Sequence, residues 1–273
     1  MLKSVLVFDI ETIPDTESSE PLTGIQSDSI DEQRKALTDY HLKITDGKNP
    51  FLRQPFHKIV AISFLHASLT KDGRYEDYKF HELRSGGNAN STERDLVKGF
   101  LQLIEKIQPR LVSFNGRTFD LPVIKYRAMV HGISSEYLYR SGDRWNNYMQ
   151  RYSIDWHCDL LDGLSDYGAS ARIKMNEVCA AFKLPGKIGV DGSDVTSLYD
   201  NDRLEEIRDY CETDVLNTYL IYLRFMYHQG HIERSNYNHA LKEVIDHISY
   251  EGEKHLEEFY LEWKKVCNGD FFI

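Results

Sequence analysis

Cysteine is scarce in this chain: four residues in 273, at positions 158, 179, 211 and 267, with no Cys-x-x-Cys pair. Such spacing argues against a disulfide framework and a thiolate zinc site, and leaves reduced thiols of a cytoplasmic chain as the expectation. No apolar run approaches the roughly 20 residues that a membrane span requires. Met1-Leu2-Lys3-Ser4 passes straight into a strand-like run rather than a secretory signal, so no membrane partner is expected. The phosphate-loop pattern GxxxxGKS/T, the dinucleotide pattern GxGxxG and the serine-hydrolase pattern GxSxG are all missing. P-loop nucleotide hydrolysis, dinucleotide redox chemistry and serine hydrolysis therefore have no support. Positive charge is also short, with 33 Lys and Arg against 43 Asp and Glu, a net −10. A surface of that sign repels phosphate backbones, unless the acids are gathered where they do something else.

What is present describes an ordinary folded domain. With 41% hydrophobic and 28% charged residues, the chain can bury a sizeable core as one large α/β domain or a domain with an appendage. Ser4 to Phe8 reads as a short interior strand that stops at Asp9-Ile10-Glu11-Thr12, with Pro14 barring further pairing. Residues 15–55 are polar and without strand period, an insertion over one edge of the fold with a helix around 29–42. Lys58 to Leu65 and Tyr75 to Leu83 read as strands joined by a hairpin at Asp72-Gly73. A helix capped by Asn90 or Ser91 follows, then a strand from Arg110 to Phe114 and a helix opened by Asp120 with Pro122 in its first turn. Another strand is expected at Ile154-Asp155-Trp156, with helices at 160–164, 173–182, 202–227 and one or two over 235–266. The expected fold is thus an α/β mixed sheet, antiparallel hairpin strands plus parallel strands, flanked by helices. The apolar stripe of the tail (Leu241, Val244, Ile245, Ile248, Leu256, Phe259, Trp263) is expected to pack on the main domain.

Three acidic groups carry the candidate chemistry. Asp9 and Glu11 lie two residues apart on a strand, so both point to one face. Two anions so close repel unless one is protonated, a cation lies between them, or the strand simply ends in solvent. Asp120 follows Asn115-Gly116-Arg117-Thr118-Phe119 and either caps the next helix or joins a site. Tyr210 and Asp214 are one helical turn apart. Asp214 falls in an otherwise apolar stripe of Leu204, Ile207, Cys211, Thr218, Ile221 and Phe225, where a metal, an arginine or a hydrogen-bond network has to offset its charge. Tyr139 and Asp143 repeat the Y-x-x-x-D spacing, but Ser141-Gly142 interrupts any helix there. His157 has no second histidine at ligand spacing, so zinc is not expected, and Asp159 reads as a helix cap or a support for the acids.

In order, strand-end D-x-E-T, N-x-x-x-F-D after a strand and helical Y-x-x-x-D resemble the DEDD superfamily of 3′–5′ exonucleases, in its tyrosine subclass. The nearest likeness is to the proofreading exonuclease domain of family B DNA polymerases and to bacterial stand-alone PolB-like exonucleases. His157-Cys158-Asp159-Leu160, Leu184-Pro185-Gly186-Lys187 and Asp191-Gly192-Ser193 echo the same pattern. The resemblance implies an RNase H-like domain over residues 1–230, with 231–273 as a helical extension packed on it. It also implies two divalent cations, Mg²⁺ or Mn²⁺, about 3.5–4 Å apart, that stabilise both oxygens of an in-line displacement. Asp9 would bridge them, Glu11 and Asp214 would hold the ion that activates water, and Asp120 would support the other. Tyr210 would orient the water. Thr12, Asn115 and Phe119 would lie at the 3′-terminal nucleotide, with Arg117, Lys125, Arg127, Arg172, Lys174, Lys183 and Lys187 as candidates for phosphate. The implied substrate is single-stranded or frayed DNA released as nucleoside 5′-monophosphates. RNA is the alternative, and a non-catalytic nucleic-acid-binding subunit of a replication or repair complex is a further one.

Overall fold

The computed structural model describes residues 2–189, 192–250 and 252–273. Five strands, β1 (Ser4–Pro14), β2 (His57–Asp72), β3 (Tyr75–Ser85), β4 (Arg110–Ser113) and β5 (His157–Asp159), form one sheet in the order β3-β2-β1-β4-β5. β1 is antiparallel to β2 and parallel to β4, and β5 is parallel to β4, so the sheet is mixed as the pattern implied. Between β1 and β2 lie α1 (Ser19–Thr23) and α2 (Ile30–Ile44). Between β3 and β5 lie α3 (Glu93–Ile107), α4 (Asp120–Val130) and α5 (Glu136–Arg140). After β5 come α6 (Leu160–Leu164), α7 (Met175–Phe182), α8 (Val195–Asp200), α9 (Leu204–His228), α10 (Arg234–Tyr250) and α11 (Lys254–Val266).

The two faces of β1 divide the core. Leu6, Phe8 and Ile10 join α3 and α4 residues such as Phe100, Ile104 and Ile124 in one apolar cluster. Val5 and Val7 join Val215, Tyr219 and Tyr222 of α9 in the other. Period-two alternation therefore sends the next odd residues, Asp9 and Glu11, toward α9. A bulge falls between the Glu11–Ala61 and Thr12–Ile59 pairs, so Val60 is the extra residue of β2.

Several boundaries differ from the sequence reading. β1 continues through Pro14, because β4 pairs with it only at Val5 to Val7 and the far half of β1 is hydrogen-bonded on one side alone. Thr92, not Asn90 or Ser91, caps α3; its hydroxyl accepts from Asp95 N, and Asp95 accepts from Thr92 N, closing a capping box. β5 lies at 157–159 rather than 154–156, since Ser153 to Trp156 form a turn (Trp156 N to Ser153 O, 3.0 Å). The insertion is ordered. Ser29 caps α2, Arg34 forms a paired contact with Asp200 of α8 at 2.6 and 2.7 Å, and buried His41 accepts from Arg53 N at 3.2 Å. On the other side, α10 covers the outer edge of β3: Glu243 accepts from Phe80 N at 2.7 Å, and His231 O accepts from Glu76 N at 2.7 Å.

Arg127 is not available for phosphate. It is buried, donating to both Glu93 oxygens at 2.7 and 2.6 Å and to Asp15 Oδ2 at 2.7 Å, while Glu93 Oε1 also accepts from Ile59 N at 2.7 Å. The cluster ties the exit of β1, the start of β2, α3 and α4 into one unit. Because removing one partner strands buried charge, Arg127→Ala is expected to cost about 3–5 kcal/mol in urea unfolding. Arg127→Met combined with Glu93→Gln is expected to cost less than the sum of the single changes.

Candidate active site

β4 ends after Ser113, and the chain turns through Asn115, which takes the left-handed φ of +68°, and Gly116. A Cβ on Gly116 would come within 2.6 Å of the Ser113 side chain, so the turn requires glycine. Asp159, at the end of β5, holds this turn by accepting from Asn115 N (3.0 Å) and Arg117 N (2.8 Å), and it also caps α6 through Leu161 N at 3.0 Å. The turn delivers Asp120 to the open side of β1, where it accepts from Ile10 N at 3.2 Å. That amide is free to donate because β4 has already ended.

From the opposite layer, α9 presents Tyr210, Cys211 and Asp214. Ligand atoms of Asp9, Glu11 and Cys211 all lie within 4.8 Å of one another, and Cys211 Sγ is 3.7 Å from Asp9 Oδ2. Across the strand pair, Asp9 and Glu11 face Ser63 and Ala61, side chains small enough to leave the cluster room. Lys187 reaches in beneath the helix, donating to the Tyr210 hydroxyl, with its ammonium 3.7 Å from Asp214 Oδ2. Asp191, part of a motif noted in the sequence, lies outside the described residues.

Burial, with the charges of Asp120, Glu11 and Asp214, raises the Asp9 carboxyl well above the carboxylate range, while Lys187 pulls it down. Asp120 is raised to about 7, first by burial and then by Asp159, against the pull of its backbone hydrogen bonds. Burial and the same carboxylates raise the Tyr210 phenol far above its ordinary value, so it keeps its proton. Crowded carboxylate oxygens with one nearby ammonium form a donor set that fits a hard divalent cation.

The remaining candidates are distributed around this centre. Thr12 Oγ1 pairs with His57 Nδ1 at 2.9 Å. His57 meets the Phe119 ring edge-on at 4.9 Å, and Phe51 of the insertion lies over both, 5.1 Å from His57 and 5.6 Å from Phe119. Phe51 is 58% exposed. Asn115 Oδ1 accepts from Arg172 at 2.6 Å. Arg117 is directed elsewhere, its guanidinium on the carbonyls of His157 (3.1 Å) and Tyr148 (3.4 Å). His157 is buried against Ser113 Oγ at 2.8 Å, and burial lowers its pKa well below normal. Sequence reasoning missed Phe51 and His57, whose roles arise only from tertiary ring contacts. It assigned Cys211 to packing, although the period placing Asp214 toward β1 places Cys211 there too.

A mixed sheet flanked by helices, with acids gathered on its central strand, is an α/β arrangement consistent with an RNase H-like exonuclease domain. The chain belongs to the family described as a predicted 3′–5′ exonuclease related to the exonuclease domain of PolB, whose model matches residues 49–263. Asp120, Tyr210 and Asp214 lie within that stretch, and Asp9 and Glu11 precede it. The chain is also similar to the catalytic subunits of DNA polymerase epsilon from Aspergillus fumigatus and from Emericella nidulans, each 23% identical over 140 residues. Each alignment covers 50% of this chain and only 6% of the polymerase. Among the described residues no helix is long and apolar enough to cross a membrane.

Raised carboxyl pKa values fix the sign of a pH effect. The folded form holds protons that the unfolded chain has already released, so their stabilising contribution is complete below pH ~4 and is lost as pH rises through the raised folded-state values, about 7 for Asp120. In EDTA at pH 8, Asp9→Asn is therefore expected to be more stable than the wild type by about 1–2 kcal/mol, and the gap closes toward pH 4. Mn²⁺ should raise the wild-type melting temperature at pH 8 and leave that of Asp9→Asn nearly unchanged. A less stable Asp9→Asn in EDTA would contradict the repulsion.

Proposed function

We propose that the chain is a metal-dependent 3′–5′ exonuclease of the tyrosine-containing DEDD type, acting on single-stranded or frayed DNA ends and releasing nucleoside 5′-monophosphates. The observation that carries this reading is the convergence of Asp9, Glu11, Asp120 and Asp214 with Tyr210 and Lys187 on the central strand, just past its last pair with β4. The four carboxylates would hold Mg²⁺ or Mn²⁺. When bound, such ions screen the phosphodiester charge and supply an acidic water. Tyr210, protonated at neutral pH and hydrogen-bonded to Asp214, orients the attacking water through its hydroxyl rather than removing a proton. Lys187 supplies a positive charge beside that hydroxyl, where the scissile phosphate would lie. Phe51 and Phe119 would offer ring faces to the terminal base, and the backbone around Thr12 would meet the terminal sugar.

Degradation of 5′-labelled DNA and RNA strands of one sequence, with and without Mn²⁺, tests the proposal. Wild type should shorten DNA from the 3′ end only when metal is present. Asp9→Ala and Asp214→Ala should be inactive, and Tyr210→Phe should be slower by roughly 10²-fold with an unchanged metal requirement. Preferential digestion of RNA would reassign the substrate, and full activity of Asp9→Ala would end the mechanism.

A further inference from the structure

Charge is unevenly distributed along this acidic chain. Residues 110–152 carry seven lysines and arginines against three acids, a net +4 within a chain of −10. Arg110 and Arg127 of that stretch are buried in ion pairs, but Arg144 and Arg151 are exposed, and they alternate with Trp145 and Tyr152, each 70% exposed. The exposure is built into the loop. Asp143 Oδ1 accepts from Trp145 N at 2.7 Å and Asn146 N at 2.8 Å. At Gly142 a Cβ would fall 1.9 Å from Asn146 O, so only glycine permits the turn that holds the indole outward. The Arg144 guanidinium lies over the Trp145 ring at 4.9 Å and forms no salt bridge among the described residues.

A continuous series of contacts joins this loop to the carboxylate end of the sheet. Gln150 donates to Arg144 O at 2.9 Å, and Tyr152 packs on Tyr167 at 4.7 Å. Arg151 and Arg172 share the single carboxylate Asp162, at 2.7 and 3.6 Å, and Arg172 also reaches Asn115 at 2.6 Å. Two guanidiniums thus stand next to the turn that carries Asp120, facing the carboxylates of Asp162 and Asp159.

We infer that this surface, from Asn115 through Arg172 and Arg151 to Tyr152 and Trp145, is the track that holds the body of a single-stranded nucleic acid while its 3′ end occupies the carboxylate site. The inference rests on the exonuclease reading for which end enters the site. Backbone-tracking cations alternating with exposed ring faces suit unstacked single strands, whose bases are free to stack. In a duplex the bases are already paired and stacked, so the rings would have no partner. The track makes affinity depend on substrate length, which the carboxylate cluster alone does not.

Steady-state digestion of 3′-hydroxyl oligothymidylates of about 4 and about 20 nucleotides, together with anisotropy of the labelled 20-mer in EDTA, tests this. For Arg144→Ser/Trp145→Ala we expect KM on the 20-mer to rise roughly tenfold with kcat held, and binding in EDTA to weaken by a similar factor. The 4-mer should be digested as by wild type, which also reports an intact fold. Trp145→Phe should restore most of the loss, and Arg151→Ser should flatten the salt dependence of 20-mer binding. Equal loss on both lengths, or no loss on the 20-mer, would overturn the track and leave the surface to a protein partner. If wild type digests neither length, the exonuclease reading fails separately. In that case the anisotropy decides alone: binding that depends on Trp145 keeps the track, and binding that does not overturns it.

Discussion

Mutual repulsion among carboxylates along β1, just past its last pair with β4, is the constraint around which the molecule is arranged. Asp9, Glu11, Asp120 and Asp214 come from three separate elements and are held where water screens them poorly, a placement that opposes folding in the absence of a counter-charge. The scaffold holds them by over-determination. β1 is the central strand and is clamped by apolar layers on both faces. The Arg127–Glu93–Asp15 cluster then fixes β1 against α4, and Asp159 fixes the turn that aims Asp120. Stability lost at the site is recovered in buried contacts a few residues away.

Chemistry at such a site divides between what a bound cation neutralises and what the chain itself provides. Lys187 beside Tyr210 and Asp214 is the single ammonium drawn into the cluster among the described residues. It offsets only part of the charge, so the field beside Asp9 and Glu11 stays negative. The phenol of Tyr210, kept protonated by the same field, can donate a hydrogen bond but cannot serve as a base at neutral pH. One electrostatic arrangement thus governs both the charge at the site and the protonation of the tyrosine.

Much of this was legible in the sequence, and the parts that were not share a physical cause. Alternation in Ser4 to Phe8 places Asp9 and Glu11 on one face, and helical spacing places Asp214 beneath them; both are local consequences of backbone geometry. Asp120 was left open between a cap and a site because the deciding partner, Ile10 N, is 110 residues away. Arg127 read like any exposed cation because charge says nothing of burial. Pro14 read as a stop because the sequence does not show that β1 pairs on only one side there. Phe51 fell in a polar insertion without a motif, and only the folding of that insertion back onto His57 and Phe119 gives it a place beside the site. Local periodicity survives in a sequence; the partners of polar groups across the sheet do not.

The covering of β3 by α10 has a consequence for the behaviour of the chain in a crowded solution. β3 is a long edge strand, and an open edge is a template for pairing with a second molecule. Here Glu243 takes the amide of Phe80, and the chain at His231 takes the amide of Glu76. The C-terminal helices therefore occupy the hydrogen-bonding positions that an incoming strand would use. In this sense residues 231–250 protect the sheet from self-association, at the edge opposite β5.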